Sequence, residues 1–146
     1  MEKSVNLKNI CLDEFGVEEQ DLRTYSPLTL AYIGDAVFEL VVRTVLVERK
    51  NTQAEKLHKA ATKVVKAETQ ALMIEALKEE LTEEELAVFK RGRNAKAFTR
   101  AKNATMSEYR RATGFEALMG YLYLKGDLER MIHLVHLGVE KAEVTL

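Results

Sequence analysis

The feature that most constrains the fold is segment 27–48, which is apolar on nearly every side of a helix. Ser26 followed by Pro27 is typical of an N-cap with proline at the first helical position. A helix that is apolar all round is typical of the centre of a domain or of a subunit interface. The β-branched run VVRTVLV within it would also suit a strand, but its continuity with a capped helix favours the helical interpretation.

Three further helix starts are indicated by capping boxes, in which a hydroxyl residue is followed three positions later by glutamate. The pairs are Thr52 with Glu55, Thr82 with Glu85 and Thr105 with Glu108. They open predicted helices over about 53–67, 83–91 and 106–124, with a further helix over about 68–79 and a last one capped by Asp127. Gly92 and Gly126 are predicted to end the helices that precede them. No segment alternates as a half-buried strand does, so we predict a single all-α domain over residues 1–146.

Composition excludes several classes of protein. With 47% hydrophobic and 31% charged residues, the 146-residue chain is not disordered and can bury one sizeable core. No apolar run approaches the roughly 18 residues of a membrane span, and the first residues lack the apolar region of a signal peptide. The single cysteine, Cys11, has no internal partner for a disulfide. We therefore expect a cytoplasmic protein that has no contact with a membrane.

The net charge of −1 conceals an uneven distribution. Segment 90–111 contains eight Lys or Arg and one acid, so it carries +7 and leaves −8 for the remaining chain. Acidic residues collect at 13–21 and 79–85. Such asymmetry within one small domain points to a nucleic-acid face. The acidic segment 13–21 has no assigned role and is interpreted only as a surface helix.

Two carboxylates lie inside apolar helical segments, where a charge is unfavourable without a cation. They are Asp35 and Glu116, and both have glycine and alanine neighbours that permit close approach of another backbone or a ligand. Two acids brought together repel each other, and a divalent cation such as Mg²⁺ relieves the repulsion. The alternative is that each acid pairs with an arginine or caps a helix, and spacing alone favours this alternative.

A resemblance to a known family bears on this choice. The stretch LTLAYIGDAVFELVVR, residues 28–43, resembles the signature helix of the ribonuclease III endonuclease domain. The stretch ATGFEALMGYLYLKGD, residues 112–127, resembles the second motif of that family. The resemblance covers most of 26–126 and implies an endonuclease core over about 26–143, preceded by an extension over 1–25. No double-stranded-RNA-binding domain is expected, as in the short bacterial subfamily called Mini-ribonuclease III.

The resemblance implies a metal-dependent phosphodiester hydrolase. Asp35 and Glu116 fall on the metal-binding acids of the two motifs, with Mg²⁺ as the cofactor. Other family acids are absent, because Leu28, Ala31 and Thr113 stand in their places. Family members cleave double-stranded RNA and leave 5′-phosphate and 3′-hydroxyl ends. Members of the short subfamily mature the large-subunit (23S) ribosomal RNA precursor, in some cases with an accessory ribosomal protein as a partner.

Two further roles are less sharply defined by the sequence. Glu39 stands one turn after Asp35 and is either a supplementary metal ligand or part of an Asp35/Glu39/Arg43 ladder that stabilises the helix, which is the favoured interpretation. In the resembled family the signature helix forms a two-fold interface, and the residue at Tyr32 packs across it. The resemblance therefore implies a homodimer.

Basic residues supply the expected RNA contacts, although a charge run is commonly only a solvated loop. Gly92 and Asn94 are expected to lie in a loop that approaches the phosphate backbone. The residues assigned to this RNA clamp are Lys90, Arg91, Arg93, Asn94, Lys96, Arg100 and Lys102. A second candidate stripe lies along the helix predicted over 53–67, where Lys56, Lys59, Lys63 and Lys66 share one face.

Three functions remain open on sequence grounds. The leading hypothesis is a Mg²⁺-dependent endoribonuclease for double-stranded RNA. The second is a catalytically silent relative that binds structured RNA during ribosome assembly, which the missing acids favour and the two retained acids oppose. The third is a helical adaptor for protein partners, in which the basic segment 90–111 is incidental.

Overall fold

The computed structural model describes residues 6–95 and 104–146, and within these residues every regular element is helical. Seven α-helices are present there, joined by short turns and two single-turn 3₁₀ segments, Leu22–Thr24 and Lys78–Glu80. The helices are α1 (Leu7–Phe15), α2 (Pro27–Arg49), α3 (Ala54–Val65), α4 (Ala67–Leu77), α5 (Glu83–Asn94), α6 (Met106–Lys125) and α7 (Leu128–Lys141). The predicted all-α fold is confirmed. None of the described helices combines the length and apolarity needed to cross a membrane.

The core is built around α6, which packs against α2, α4, α5 and α7. Its buried positions run almost without interruption from Ala112 to Leu122, so the helix has little solvent-facing surface in its middle. Phe115 of α6 meets Phe38 of α2 edge to face, with ring centroids 5.0 Å apart and planes at 89°. This arrangement is a favoured one for aromatic pairs in cores. The two helices that carry the resemblance motifs therefore form the centre of the domain.

Most predicted helix ends are confirmed by their local chemistry. The Ser26 side chain accepts a hydrogen bond from the Thr29 amide, and Pro27 occupies the first position of α2. Both capping boxes that open α5 and α6 are formed in full. Gly126 ends α6 in the left-handed conformation, with φ of 88°, and Asp127 caps α7.

The capping box predicted at Thr52 is wrong. The N-cap of α3 is Gln53, which makes no capping hydrogen bond with its side chain, and the helix begins at Ala54. Glu55 lies in the first turn and pairs with Lys59 at 3.6 Å instead. An acid in the first turn still interacts favourably with the helix dipole, so the position of the helix is correct although its cap is not.

Gly92 does not end α5, and this prediction is also wrong. The helix continues to Asn94, and Gly92 is buried within it. A Cβ atom at Gly92 would lie 2.8 Å from the Cβ of Ala117 and 2.9 Å from the Cα of Gly114, both on α6. Gly92 therefore permits close packing of α5 on α6 and does not reverse the chain. The predicted loop at Gly92 and Asn94 is thus wrong, because both residues are helical.

The N-terminal helix α1 lies on the surface and has no buried residue. Lys8 connects it to the domain by donating to the Leu124 carbonyl at 2.7 Å, and Lys8 also pairs with Glu19 at 2.7 Å. The helix ends at Phe15, where Gly16 adopts the left-handed conformation. Most of the acidic segment 13–21 is therefore not helical, contrary to its interpretation as a surface helix.

Candidate active site

The crossing of α2 over α6 fixes the position of the two candidate acids. A Cβ atom at Gly34 would lie 1.7 Å from the carbonyl oxygen of Glu116, and one at Gly120 would lie 2.0 Å from the carbonyl oxygen of Leu30. Neither distance is compatible with a side chain, so the two backbones touch where both residues are glycine. Asp35 and Glu116 are the immediate neighbours of this contact. The predicted role of the small residues beside the acids is confirmed.

The carboxyl groups of Asp35 and Glu116 face each other at this crossing. The pKa of Glu116 is raised to about 8, mainly by burial and then by the nearby negative charge of Asp35 and a hydrogen bond with it, against the lowering effect of the Gln70 hydrogen bond. Asp35 lies on the exposed side of α2, whereas Glu116 is only partly accessible. Glu116 is thus held against a second acid, and the pair is open to solvent on the side of Asp35.

Gln70 of α4 is the polar neighbour of Glu116. Its side-chain Nε2 donates to Glu116 Oε2 at 3.3 Å and to the Val65 carbonyl at 2.7 Å. The residue is 2% exposed, and its Oε1 atom has no hydrogen-bond partner among the described residues. Sequence reasoning missed this residue. The available signal was a polar side chain on the buried face of α4, in register with Met73, Ile74 and Leu77.

The paired carboxylates suit a hard divalent cation. Two carboxylates are ligands that Mg²⁺ prefers, and the cation would cancel the repulsion that raises the pKa of Glu116. Among the described residues, no group of three or more His, Cys, Asp or Glu is arranged to hold a metal. Glu39, one turn further along α2, forms an ion pair with Arg43. Within the part of the chain that the structure describes, the candidate metal ligands at this place are therefore Asp35 and Glu116.

A cavity of about 460 Å³ adjoins the acids on the α4 side. It is lined by Lys66, Gln70, Tyr109, Thr113 and Glu116, among others. Thr113, which stands where the resembled family has an acid, is buried and donates its hydroxyl to the Tyr109 carbonyl at 2.9 Å. The hydroxyl is thus used within α6, and the space that a longer acid would fill is left to the cavity.

The described part of the basic segment lies along the end of α5 and the start of α6. Lys90, Arg91 and Asn94 are exposed, and Arg93 lies with its guanidinium 5.6 Å from the centre of the Phe89 ring. The remaining members of the predicted RNA clamp, Lys96, Arg100 and Lys102, lie outside the described residues.

A basic hollow of about 530 Å³ lies between these two helices. Arg93 and Asn94 line one side, and Ser107, Arg110 and Arg111 line the other. Glu75 also lines it and pairs with Arg111 at 3.4 Å. The sequence indicated positive charge over 90–111 but not that Arg110 and Arg111 join Arg93 around one hollow, because the pairing of the two helix ends is a tertiary contact.

The second candidate stripe is exposed on α3. Lys59 and Lys63 lie in the helix and Lys66 directly follows it, at the junction with α4. Lys59 pairs with Glu55 at 3.6 Å, and Lys66 lies 3.9 Å from Glu68. Surface pairs of this kind are weak and open readily. Lys66 also lines the cavity beside Glu116, so the stripe ends at the candidate active site.

The solvent-facing side of α2 is unusually apolar. Tyr32 is 82% exposed and Leu40 is 53% exposed, and Leu28 lies one turn before Tyr32. Spacings of four and eight residues place all three on one side of the helix, next to Asp35. A large aromatic residue at this exposure is typical of an interaction surface.

Comparison with known proteins identifies relatives over most of the chain. The Ribonuclease III domain family model matches residues 28–127. A Mini-ribonuclease 3 of Clostridium tetani is 48% identical, covering 86% of this chain and 83% of the relative. One from Enterococcus faecalis is 45% identical and covers 86% and 97%. A crystal structure of a Fusobacterium nucleatum protein is similar at a TM-score of 0.74 and 32% identity, covering 83% of this chain and 97% of that one.

Proposed function

The chain belongs to the ribonuclease III family and is an endoribonuclease, and from this premise we propose that Asp35 and Glu116 hold Mg²⁺ for the cleavage of double-stranded RNA. The observation that supports the proposal is the contact of two carboxylates with no cationic side chain between them among the described residues, at a place where burial, and after it the charge of Asp35, raises the pKa of Glu116 to about 8. A protein gains nothing in stability from such a pair. A cation bound between the two carboxylates would offset their repulsion.

The proposed reaction is hydrolysis of a phosphodiester, with water as the nucleophile and the 3′-oxygen as the leaving group. The metal would lower the pKa of a bound water and stabilise negative charge on the phosphate. Glu116 on the central helix and Asp35 on the exposed side of α2 would be the two residues that hold the metal. Attack in line with the 3′-oxygen leaves a 5′-phosphate and a 3′-hydroxyl. Glu39 is at most a supplementary ligand in this scheme, since Arg43 already pairs with it.

RNA contact is proposed for two basic surfaces. The first is the hollow that Arg93, Arg110 and Arg111 line, and the second is the α3 stripe of Lys59, Lys63 and Lys66. Lysine and arginine at these places would hold phosphates without reading bases, so affinity depends strongly on salt. Lys96, Arg100 and Lys102 are proposed to extend the first surface.

The natural substrate is proposed to be the 23S ribosomal RNA precursor. The similarity to bacterial Mini-ribonuclease 3 proteins supports this choice of substrate. Such a precursor is a cytoplasmic molecule in bacteria, so we place the protein there. An accessory ribosomal protein is a proposed partner, because a protein that reads duplex shape has little sequence selectivity of its own.

A homodimer is proposed through the exposed face of α2. Tyr32 and Leu40 would be covered by the same face of a second copy, related by a two-fold axis. Because Asp35 borders this face, the axis would bring two active sites to one side of the dimer, one for each strand of the duplex.

The proposed function is tested by incubating a long RNA duplex with the protein in Mg²⁺, in EDTA, and with the Asp35→Asn variant. We expect cleavage in Mg²⁺ only, and none with Asp35→Asn, while the variant keeps the melting temperature of the unaltered protein. Cleavage by Asp35→Asn at a near-normal rate would reject the metal assignment. An intact duplex in every sample would reject generic duplex RNA as the substrate.

A further inference from the structure

Resting on the proposed metal-dependent cleavage, we propose that Gln70 is a positioning residue that holds the Glu116 carboxylate toward Asp35. Glu116 projects from α6, and nothing in the α6 backbone alone fixes the rotation of its carboxylate. The Gln70 amide contacts it from α4, at 3.3 Å from Oε2. The amide thereby selects one orientation of the carboxylate.

The orientation of the Gln70 amide is itself dictated by its neighbours. Nε2 lies 2.7 Å from the Val65 carbonyl and 3.3 Å from Glu116 Oε2, and both neighbours are acceptors. A flipped amide would place its oxygen against two oxygens, so the nitrogen must face both. Each of the two protons on Nε2 then has one acceptor. The hydrogen bond to Glu116 is therefore a directed contact.

The second acceptor ties this contact to the backbone. Val65 is the last residue of α3, and the chain turns at Lys66, which has φ of −65° and ψ of 153°, before α4 begins at Ala67. The Val65 carbonyl is one of the acceptors that a helix leaves without a partner at its end. Gln70 satisfies it and so is held between a fixed backbone oxygen and Glu116.

The burial of Gln70 argues against a purely structural role. Its side chain is 2% exposed and its Oε1 lacks a partner among the described residues, so burying it is unfavourable. Its neighbours on the same face of α4 are Met73, Ile74 and Leu77, where an apolar side chain would avoid the unpaired Oε1 but would leave the Val65 carbonyl without this donor. Of the two contacts that Gln70 makes, only the one with Glu116 reaches the candidate site.

The test replaces Gln70 by methionine, which has a similar length and no donor. We expect Gln70→Met to bind Mn²⁺ about 10- to 100-fold more weakly, as variants of outer-shell groups do, because the Glu116 carboxylate is free to rotate. Mn²⁺ affinity is measured by electron paramagnetic resonance without RNA. With the duplex, kcat should fall by a similar factor while KM stays within about twofold, because the basic surfaces are unaltered.

Thr69→Val supplies the matched control. Thr69 is also buried at the junction of α3 and α4, and its hydroxyl donates to the Lys63 carbonyl at 2.6 Å, but no bond connects it to Glu116. The variant therefore removes a junction hydrogen bond without touching the acids. We expect Thr69→Val to leave Mn²⁺ affinity unchanged, whereas Gln70→Met weakens Mn²⁺ binding; each variant removes one hydrogen bond to a backbone carbonyl of α3, so a loss of stability is common to both.

Two outcomes would overturn the inference. One is Gln70→Met with the Mn²⁺ affinity and kcat of the unaltered protein, and the other is equal losses of Mn²⁺ affinity in Gln70→Met and Thr69→Val. If Gln70→Met does not fold, Gln70→Asn takes its place, since its shorter amide can reach only one of the two acceptors and must also weaken Mn²⁺ binding. Asp35→Asn separates the two proposals. An unaltered protein that binds Mn²⁺ no better than Asp35→Asn rejects the proposed metal site itself, whereas normal binding in Gln70→Met rejects only the role of Gln70.

Discussion

Two glutamates on neighbouring helices show opposite solutions to the burial of a carboxylate. Glu85 of α5 is 5% exposed, and it accepts hydrogen bonds from Arg130 at 2.8 and 2.9 Å and from the Thr82 amide at 2.9 Å. The Arg130 guanidinium, as the leading cause, lowers the pKa of Glu85. Glu116 of α6 faces another acid instead, and burial raises its pKa to about 8.

This difference in partners and pKa distinguishes Glu85, an acid that stabilises the fold, from Glu116, an acid that is available to bind a ligand. Glu85 closes the capping box of α5 and ties this helix to α7 through Arg130, so its charge is neutralised within the protein. Glu116 has an amide from Gln70 and no cationic partner among the described residues. A buried carboxylate whose charge the protein does not balance is a functional-site candidate, because selection for stability alone would remove it.

The largest expected effect is on catalysis. Glu116→Gln should lower the cleavage rate of duplex RNA by about 1,000-fold or more, because the metal contribution amounts to several kcal/mol. Glu85→Gln should retain the rate within about twofold once both proteins are assayed well below their melting temperatures. Equal rates for the two variants would remove the distinction between the two acids.

The next effect is on the pH dependence of stability in EDTA. The folded-state pKa of Glu116 is about 8, above the ordinary value of 4.5, so its contribution to stability is fully present below pH 4.5 and lost as the pH rises to 8. The free energy of unfolding should fall by about 1.4 kcal/mol per pH unit relative to Glu116→Gln, or about 4 kcal/mol from pH 5 to 8.

Urea unfolding at several pH values measures this slope. The lowered pKa of Glu85 has the opposite consequence, since its stabilisation is present above pH 4.5 and lost as the pH falls. Glu85 should therefore add no slope between pH 5 and 8. A difference between the unaltered protein and Glu116→Gln that does not vary with pH would contradict the proposed environment of Glu116.

A smaller effect is expected on stability at pH 7. Glu85→Gln should lower the free energy of unfolding by about 2 to 3 kcal/mol, because Arg130 loses its carboxylate partner and keeps, among the described residues, only the hydrogen bond to the Glu80 carbonyl. Glu55→Gln, which breaks the exposed pair with Lys59, should change it by less than about 0.5 kcal/mol. Equal values for these two variants, measured by urea unfolding, would show that Glu85 is not the structural acid.

The smallest effect is stabilisation by Mg²⁺. At about ten times its dissociation constant, Mg²⁺ should raise the free energy of unfolding by about 1.4 kcal/mol. The same increase is expected for Glu85→Gln and none for Glu116→Gln, as measured by thermal unfolding at pH 7.5 with and without Mg²⁺. An increase in Glu116→Gln equal to that of the unaltered protein would place the metal elsewhere.

The sequence predicted the elements whose signals are local. Ser26 with Pro27, the two complete capping boxes and the Gly126–Asp127 junction each act within one helical turn, so the starts of α2, α5, α6 and α7 and the C-terminal end of α6 could be anticipated. The cap at Thr52 failed because the helix starts two residues later. Gly92 was misinterpreted because a glycine that ends a helix and one that permits close packing look the same in a sequence.

The site was predictable in part for the same reason. Asp35 and Glu116 were visible as charges within apolar segments, and family resemblance joined them across 81 positions. Gln70 has no motif, and its importance depends on the contact of α4 with α6. The hollow around Arg93 and Arg111 likewise exists only after two helix ends meet. Features of the site that depend on contacts between helices therefore could not be predicted from local sequence patterns.

The glycine crossing at Gly34 and Gly120 has a consequence for how this site tolerates change. Because the two backbones are in direct contact, no side chain between them transmits the volume changes of the core to the spacing of the acids. Repacking away from this crossing, for example between α4 and α7, can alter the melting temperature while the acids keep their separation. Core substitutions away from the crossing, whether natural or introduced to raise the melting temperature, are therefore expected to preserve the spacing of the acids, provided that residues 34 and 120 remain glycine.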